Sequence, residues 1–168
     1  MIGYYRYPTI HDDTLIFCAE DDLWSVPAAG GTARRLTTSL GAVSTPRFSS
    51  DGSLLAFSGR DEGAWEVYVM PAGGGPATRL THQGGFAQIV GWSADGNEVY
   101  YSSDANAAFA SARQIWAVSV AGGLPRVLPW GPASHLSDGP SGGLVLGRNT
   151  GDPARWKRYR GGRAGQLW

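Results

Sequence analysis

A hydrolytic triad needs a nucleophile, an oriented base and a third group that holds the base, all converging in space. His11, His82 and His135 are the three histidines, and each sits beside turn-forming residues. They read as caps of turns and loops, and no residue is assigned a catalytic role. Cys18 is the single cysteine, so no internal disulfide forms. A zinc site would need more ligands than one thiol and three scattered imidazoles supply. The neighbours Ile16, Phe17 and Ala19 place Cys18 in a strand, as a small buried hydrophobe. Asp12, Asp13, Glu20, Asp21 and Asp22 cluster, but the Asp-x-Asp-x-Asp-Gly spacing that wraps a calcium ion is missing. Asp12 and Asp13 read as acceptors in a turn and the other three as the border of a strand end. Glycine pairs occur without a Gly-x-x-x-x-Gly-Lys-Ser/Thr string, so neither a phosphate loop, a metal nor a cofactor is expected.

The densest chemistry is basic. Arg148, Arg155, Lys157, Arg158, Arg160 and Arg163 place six of the fourteen Lys and Arg residues within sixteen positions, with Trp156 and Tyr159 among them. Guanidinium pairs bidentately with carboxylates and stacks on aromatic rings. The stretch has two readings. One is a solvated loop whose aromatics pack on the neighbouring strands. The other is an electropositive rim on which Arg148, Arg155, Trp156, Lys157, Arg158 and Arg160 meet acidic peptide groups, a neighbouring domain or a sister subunit. Fourteen Asp and Glu bring the formal net charge to zero. That argues against a general nucleic-acid or membrane-surface binder, which needs a basic excess. No stretch approaches the ~18 apolar residues of a membrane span. Met1 to Pro8 lacks a basic segment followed by an apolar one, so the chain is read as soluble and cytoplasmic.

The elements that must carry these residues are short strands. At 168 residues the chain suits one domain or part of a larger one. It is 42% hydrophobic and 17% charged, which argues against wholesale disorder. The 25 Gly and 10 Pro, with seven Trp, seven Tyr and five Phe, favour an all-β fold. Self-similarity then organises it. The aromatics Trp24, Tyr68, Trp116 and Trp168 are 44, 48 and 52 residues apart. Six residues after each of the first three comes a glycine pair (Gly30-Gly31, Gly74-Gly75, Gly122-Gly123). Twelve residues after each comes Leu36, Leu80 or Leu128. Twelve further on, Phe48 opens Phe48-Ser49-Ser50-Asp51-Gly52 and Trp92 opens Trp92-Ser93-Ala94-Asp95-Gly96. Asp-Gly between apolar runs marks a hairpin.

Four strands per ~44 residues is the repeat of a β-propeller blade. In the second unit they are predicted at Val43–Phe48, Leu54–Ser58, Glu66–Met70 and Ala77–Leu80. Blade one is expected at about residues 5–36, blade two at 43–80, blade three at 87–128, and a truncated blade four at 133–168. The fold class is therefore an all-β propeller of four-stranded antiparallel blades, incomplete at about three and a half. Rings close with roughly four to eight blades, so the chain is expected to be a piece of something longer.

Phe48 to Phe57 and Trp92 to Tyr101 resemble the WD40-like repeat of the TolB type. Ile10-His11-Asp12-Asp13 followed by Asp21-Asp22-Leu23-Trp24 resembles the opening blade of the tricorn protease family. Arg148-Asn149-Thr150-Gly151-Asp152-Pro153, then Trp156-Lys157, Tyr159-Arg160-Gly161-Gly162 and Leu167-Trp168, resembles that family's fourth blade. The resemblance implies a cytoplasmic, oligomeric serine protease with a six-bladed N-terminal propeller, a second propeller, a PDZ-like domain and a catalytic region downstream. This chain would be the first part of the six-bladed ring, guiding peptide access and assembly, with no catalytic residue of its own. Implied partners are the remaining domains of the parent, peptides and sister subunits. Archaeal members carry adjacent arginines in the loop entering the third blade. Thr81 to Ala87 here is shorter and has none, and Arg34-Arg35 lies on an outer strand. The alternatives are a TolB-like interaction scaffold and the propeller of a prolyl-oligopeptidase-like hydrolase.

Overall fold

Short apolar runs separated by Gly, Asp and Ser can pair only locally, and the chain does so four times in succession. The computed structural model describes residues 4–38, 41–107, 112–139, 143–148 and 166–168. The first sheet comprises β1 (Arg6–His11), β2 (Thr14–Ala19), β3 (Asp22–Pro27) and β4 (Arg34–Arg35). The second comprises β5 (Ala42–Phe48), β6 (Leu54–Arg60), β7 (Glu66–Pro71) and β8 (Thr78–Arg79). The third comprises β9 (Ala87–Trp92), β10 (Glu98–Ser103), β11 (Gln114–Ser119) and β12 (Arg126–Pro132). The fourth contains β13 (His135–Asp138), β14 (Leu144–Arg148) and β15 (Gln166–Leu167). Strands neighbour one another in chain order within every sheet, and all these pairings are antiparallel.

The first strands stand side by side, β1 against β5, β5 against β9, and β9 against β13. Sheets arrayed in this way are propeller blades, with β4, β8 and β12 at the rim. The all-β propeller expectation holds. Strand ends differ from expectation in detail. β6 continues to Arg60 because Ser58 and Gly59 still pair with Val67 and Glu66. β8 shrinks to two residues because it meets β7 only at Tyr68 and Val69.

Cohesion lies between blades. The alternation in β7 predicts two unlike faces, and both are buried. Val67 and Val69 pack with Ile89, Val99, Tyr101 and Trp116 of blade three. Tyr68 and Met70 pack with Ile16, Cys18 and Leu23 of blade one. Tyr68 also stacks on Phe57 at 5.6 Å between centroids. A third cluster joins Ile115, Ala117 and Leu128 to Leu136 and Leu146 of blade four. Each large side chain taken out of water contributes about 1.5–3 kcal/mol, so a middle blade is held from both sides.

The turns are held by the same device twice. Asp51 accepts from Ser49 Oγ at 2.6 Å and Ser53 Oγ at 2.8 Å, and Asp95 accepts from Ser93 Oγ at 2.5 Å and Asn97 Nδ2 at 2.9 Å. These bonds, the Ser49 and Ser93 hydroxyls first, hold both carboxyls down at about 2. His11 Nε2 lies 3.3 Å from Ser50 O, so the first blade's turn rests on the second's. Gly52, at φ +70°, is the one residue type that fits there, because a Cβ would run into the His11 ring.

Candidate functional site

The site is built by a defect repeated in the inner strands. The β1–β2 ladder slips between Arg6 and Thr9, the β5–β6 ladder between Ser44 and Arg47, and the β9–β10 ladder between Tyr100 and Tyr101. Extra residues in a strand bend it and re-aim its side chains. In the first two blades the bulge falls on Tyr7-Pro8 and Thr45-Pro46, with Tyr7 at φ +52° and Thr45 at φ +47°.

Register shows which positions correspond. Arg6 pairs with Cys18, Ser44 with Ser58, and Gln88 with Ser102. Cys18, Ser58 and Ser102 are all fully buried. Ser58 Oγ and Thr45 Oγ1 lie 3.2 Å apart, and both accept from the Ile89 N–H of the next blade at 3.3 Å. The thiol of Cys18 occupies the same repeat position and is pushed up to about 12, chiefly by burial. It is inert packing, in line with its expected role.

The opposite partners, Arg6, Ser44 and Gln88, share one cleft of about 200 Å³ with Tyr7, Thr45, Trp65 and Phe86. Arg6 Nη2 lies 3.8 Å from Asp21 Oδ1, and its guanidinium sits 5.9 Å from the Tyr4 and Tyr7 ring centres. Arg6 Nε is buried with no hydrogen-bond partner among the described residues. Phe86 is fixed from three directions. Its N–H donates to Asp104 Oδ1 at 3.0 Å, the Arg113 guanidinium stacks on its ring at 3.9 Å, and Gly84 N–H, two residues earlier, donates to Glu66 Oε1 at 2.8 Å.

Glu66 belongs to a second repeated device, at the outer edge. Asp22 and Glu66 open β3 and β7 and are buried. Thr37 Oγ1 donates to Asp22 at 2.9 Å and accepts Leu23 N–H at 2.9 Å; Thr81 Oγ1 donates to Glu66 and accepts Val67 N–H at 2.9 Å. Arg35 pairs with Asp22, and Arg79 Nη2 lies 3.3 Å from Glu66 Oε1. Burial pushes the Glu66 carboxyl up, but the bonds from Thr81, Gly84 and Gln83, with Arg79, outweigh it and hold the group below its ordinary range. Arg-Leu-Thr at 35–37 and 79–81, its threonine fifteen residues after an acid, is the sequence signal, of which the repeat pattern uses only the leucine.

Of the basic stretch, the described residues contain Arg148. It ends β14, donates Nη2 to Trp130 O at 2.9 Å and stacks its guanidinium on Trp168 at 4.5 Å. Arg155, Trp156, Lys157, Arg158 and Arg160 lie outside the described residues. The acidic cluster is dispersed: Asp21 faces Arg6, Asp22 joins the outer lock, and Asp12 sits near His11. His11 caps a turn as expected. His135 instead heads β13, paired with Gly147, and burial followed by Arg113 lowers its pKa. One string passed over in the sequence is Gly139-Pro140-Ser141-Gly142-Gly143, which spells Gly-x-Ser-x-Gly. A nucleophile elbow requires a strand-to-helix turn. Gly139 and Gly143 instead lie between the antiparallel strands β13 and β14, with Gly139 N–H on Gly143 O at 2.8 Å, and residues 140–142 lie outside the described residues.

A family profile described as the tricorn protease N-terminal beta propeller domain matches residues 2–168. Tricorn protease homolog 1 of Streptomyces coelicolor is 42% identical over 168 residues, covering 99% of this chain and 16% of that protein. The tricorn protease of Thermoplasma acidophilum is 33% identical over 170 residues, covering 96% and 16% respectively. The chain thus spans about a sixth of the length of these relatives. A crystal structure of the tricorn protease matches all of this chain and 17% of its own, at 31% identity and a TM-score of 0.87. The chain belongs to the tricorn protease family, as part of its N-terminal β-propeller.

Proposed function

We propose that this propeller segment serves a cytoplasmic, oligomeric serine protease as a non-catalytic guide for peptides travelling to or from an active site elsewhere in the parent protein. The observation that carries the reading is the family match over residues 2–168, joined to a cleft that opens on the innermost strands of three successive blades. Inner strands face the propeller's axis, the route a chain would follow through the ring. Arg148, Arg155, Trp156, Lys157, Arg158 and Arg160 would form a rim contact with a neighbouring domain, a sister subunit or acidic peptide groups. Arg148 supports this, since it is anchored on Trp130 and Trp168 where the stretch leaves β14.

The test uses the intact parent protein. Fluorophosphonate labelling followed by peptide mapping should place the reactive serine outside residues 1–168 and abolish peptide hydrolysis. A substrate peptide bearing a benzophenone should then crosslink to β1, β5 or β9. A labelled serine within these residues, or crosslinks confined to β4, β8 and β12, would overturn the proposal.

A further inference from the structure

We infer that the cleft shared by β1, β5 and β9 is a specificity pocket for one aromatic side chain of an extended peptide. The inference rests on the peptide-guiding reading above and gives it a chemical preference. Size is the first constraint. About 200 Å³ lies below the ~300–1,000 Å³ of sites that enclose a drug-sized ligand, and it suits one side chain rather than a cofactor. Wall chemistry is the second. Tyr7, Trp65 and Phe86 present rings, and aromatic pairs attract one another beyond the area they bury. Arg6 brings a guanidinium that already lies beside two tyrosine rings, the partner geometry of a cation–π contact.

Charge decides between an aromatic and an acidic occupant. Asp21 stands 3.8 Å from Arg6 and offsets its charge. An incoming carboxylate would compete with Asp21, whereas an uncharged ring would use the guanidinium face and leave that pair intact. Gln88 and Ser44 supply polar groups at the positions equivalent to Arg6, within reach of a tyrosine hydroxyl or the peptide backbone.

Strain is an independent sign that the cleft is built. Tyr7 and Thr45 adopt left-handed backbone although neither is glycine, and each precedes a proline, which favours extended backbone. Such residues are strained and persist where the surroundings over-determine them. Both lie in the cleft wall.

The test titrates the intact parent protein with capped tripeptides, acetyl-Gly-X-Gly-amide with X as Tyr, Leu or Glu, and follows backbone amide shifts by NMR. The Tyr peptide should move the amides of Ser44, Phe86 and Gln88 and bind at least fivefold more tightly than the Leu and Glu peptides. Phe86→Leu, which keeps an apolar side chain, and Arg6→Ala should each erase that preference, while Arg34→Ala at the rim should leave it. Equal or tighter binding of the Glu peptide, or shifts confined to other blades, overturns the pocket. Failure here with benzophenone crosslinks still on β1, β5 or β9 leaves peptide guidance standing. Selective tripeptide binding without such crosslinks supports the pocket and overturns guidance.

Discussion

The outer edges of blades one and two carry the same three kinds of group in the same bonds, a carboxylate, a hydroxyl and a guanidinium: Asp22 or Glu66, Thr37 or Thr81, Arg35 or Arg79. The inner ends of the same blades, with blade three, carry three different side chains at equivalent positions: Arg6, Ser44 and Gln88. The contrast separates what holds a blade from what a blade displays. An outer strand of two residues has little ladder of its own, so a carboxylate, a hydroxyl and a guanidinium tie it down. The inner ends project from strands already fixed by their blades, and their side chains can vary without loosening the sheet.

Blade three marks the limit of that rule. Gln114, Val127 and Pro129 stand where the acid, arginine and threonine would be. Its outer strand is longer, Arg126–Pro132, and Gln114 pairs with Pro132 instead. Trp130 adds an edge-on contact to Tyr100 at 5.9 Å. Backbone ladder and ring packing replace the polar lock.

The largest effect should come from breaking the lock where it is deepest. Glu66→Leu strands Thr81, Arg79 and the Gly84 N–H, and should lower stability by about 3 kcal/mol, because removing one partner of a buried pair leaves the others uncompensated. Gln114→Leu, at the equivalent position of blade three, should change it by less than about 1 kcal/mol. Urea denaturation of both variants checks the difference.

Gly52→Ala tests the contact between first and second blades, where a Cβ meets the His11 ring at positive φ. A loss of about 2 kcal/mol is expected from backbone strain and displacement of the ring, read as a lowered Tm. Thr45→Val probes the inner side. It removes one of two acceptors for Ile89 N–H and should cost about 1 kcal/mol, with faster hydrogen exchange at that amide.

Acid titration separates the lock from the turns. The Glu66 carboxyl is lower in the folded chain than its ordinary value of 4.5. Its contribution is therefore present above that value and is lost as pH falls through the lower folded one. Glu66→Gln should flatten the stability profile in that window. In the turns, Ser49→Ala should raise the Asp51 pKa from about 2 towards the ordinary carboxylate range, leaving Asp95 unchanged as the control, both followed by carboxyl NMR. The smallest effect belongs to Cys18, which should resist thiol reagents at pH 8 until the protein unfolds.

Much of the fold was legible because propeller repeats write their geometry locally. Glycine pairs at fixed offsets and the Asp-Gly turns mark hairpins without reference to anything distant. The site was far less legible. Arg6 is one basic residue in an aromatic N-terminal segment, and neither Gln88 nor Phe86 carries a motif. The Arg-Leu-Thr strings were visible, but their acids lie across a hairpin, so the shared bond appears only once β3 meets β4 and β7 meets β8. The inner bulges left no signal beyond Tyr7-Pro8 and Thr45-Pro46, where a proline ordinarily implies extended backbone.

By itself, then, the sequence determined the strand order, the hairpin turns, the blade repeat and the family, all of which follow from residue types within one ~44-residue unit. Tertiary structure alone decided that both faces of β7 are buried, each against a different neighbour. It also decided that Arg6, Ser44 and Gln88, 38 and 44 residues apart in the chain, open onto one cleft. Those outcomes depend on how blades stack about a common axis, and packing between units leaves no trace in the spacing within them.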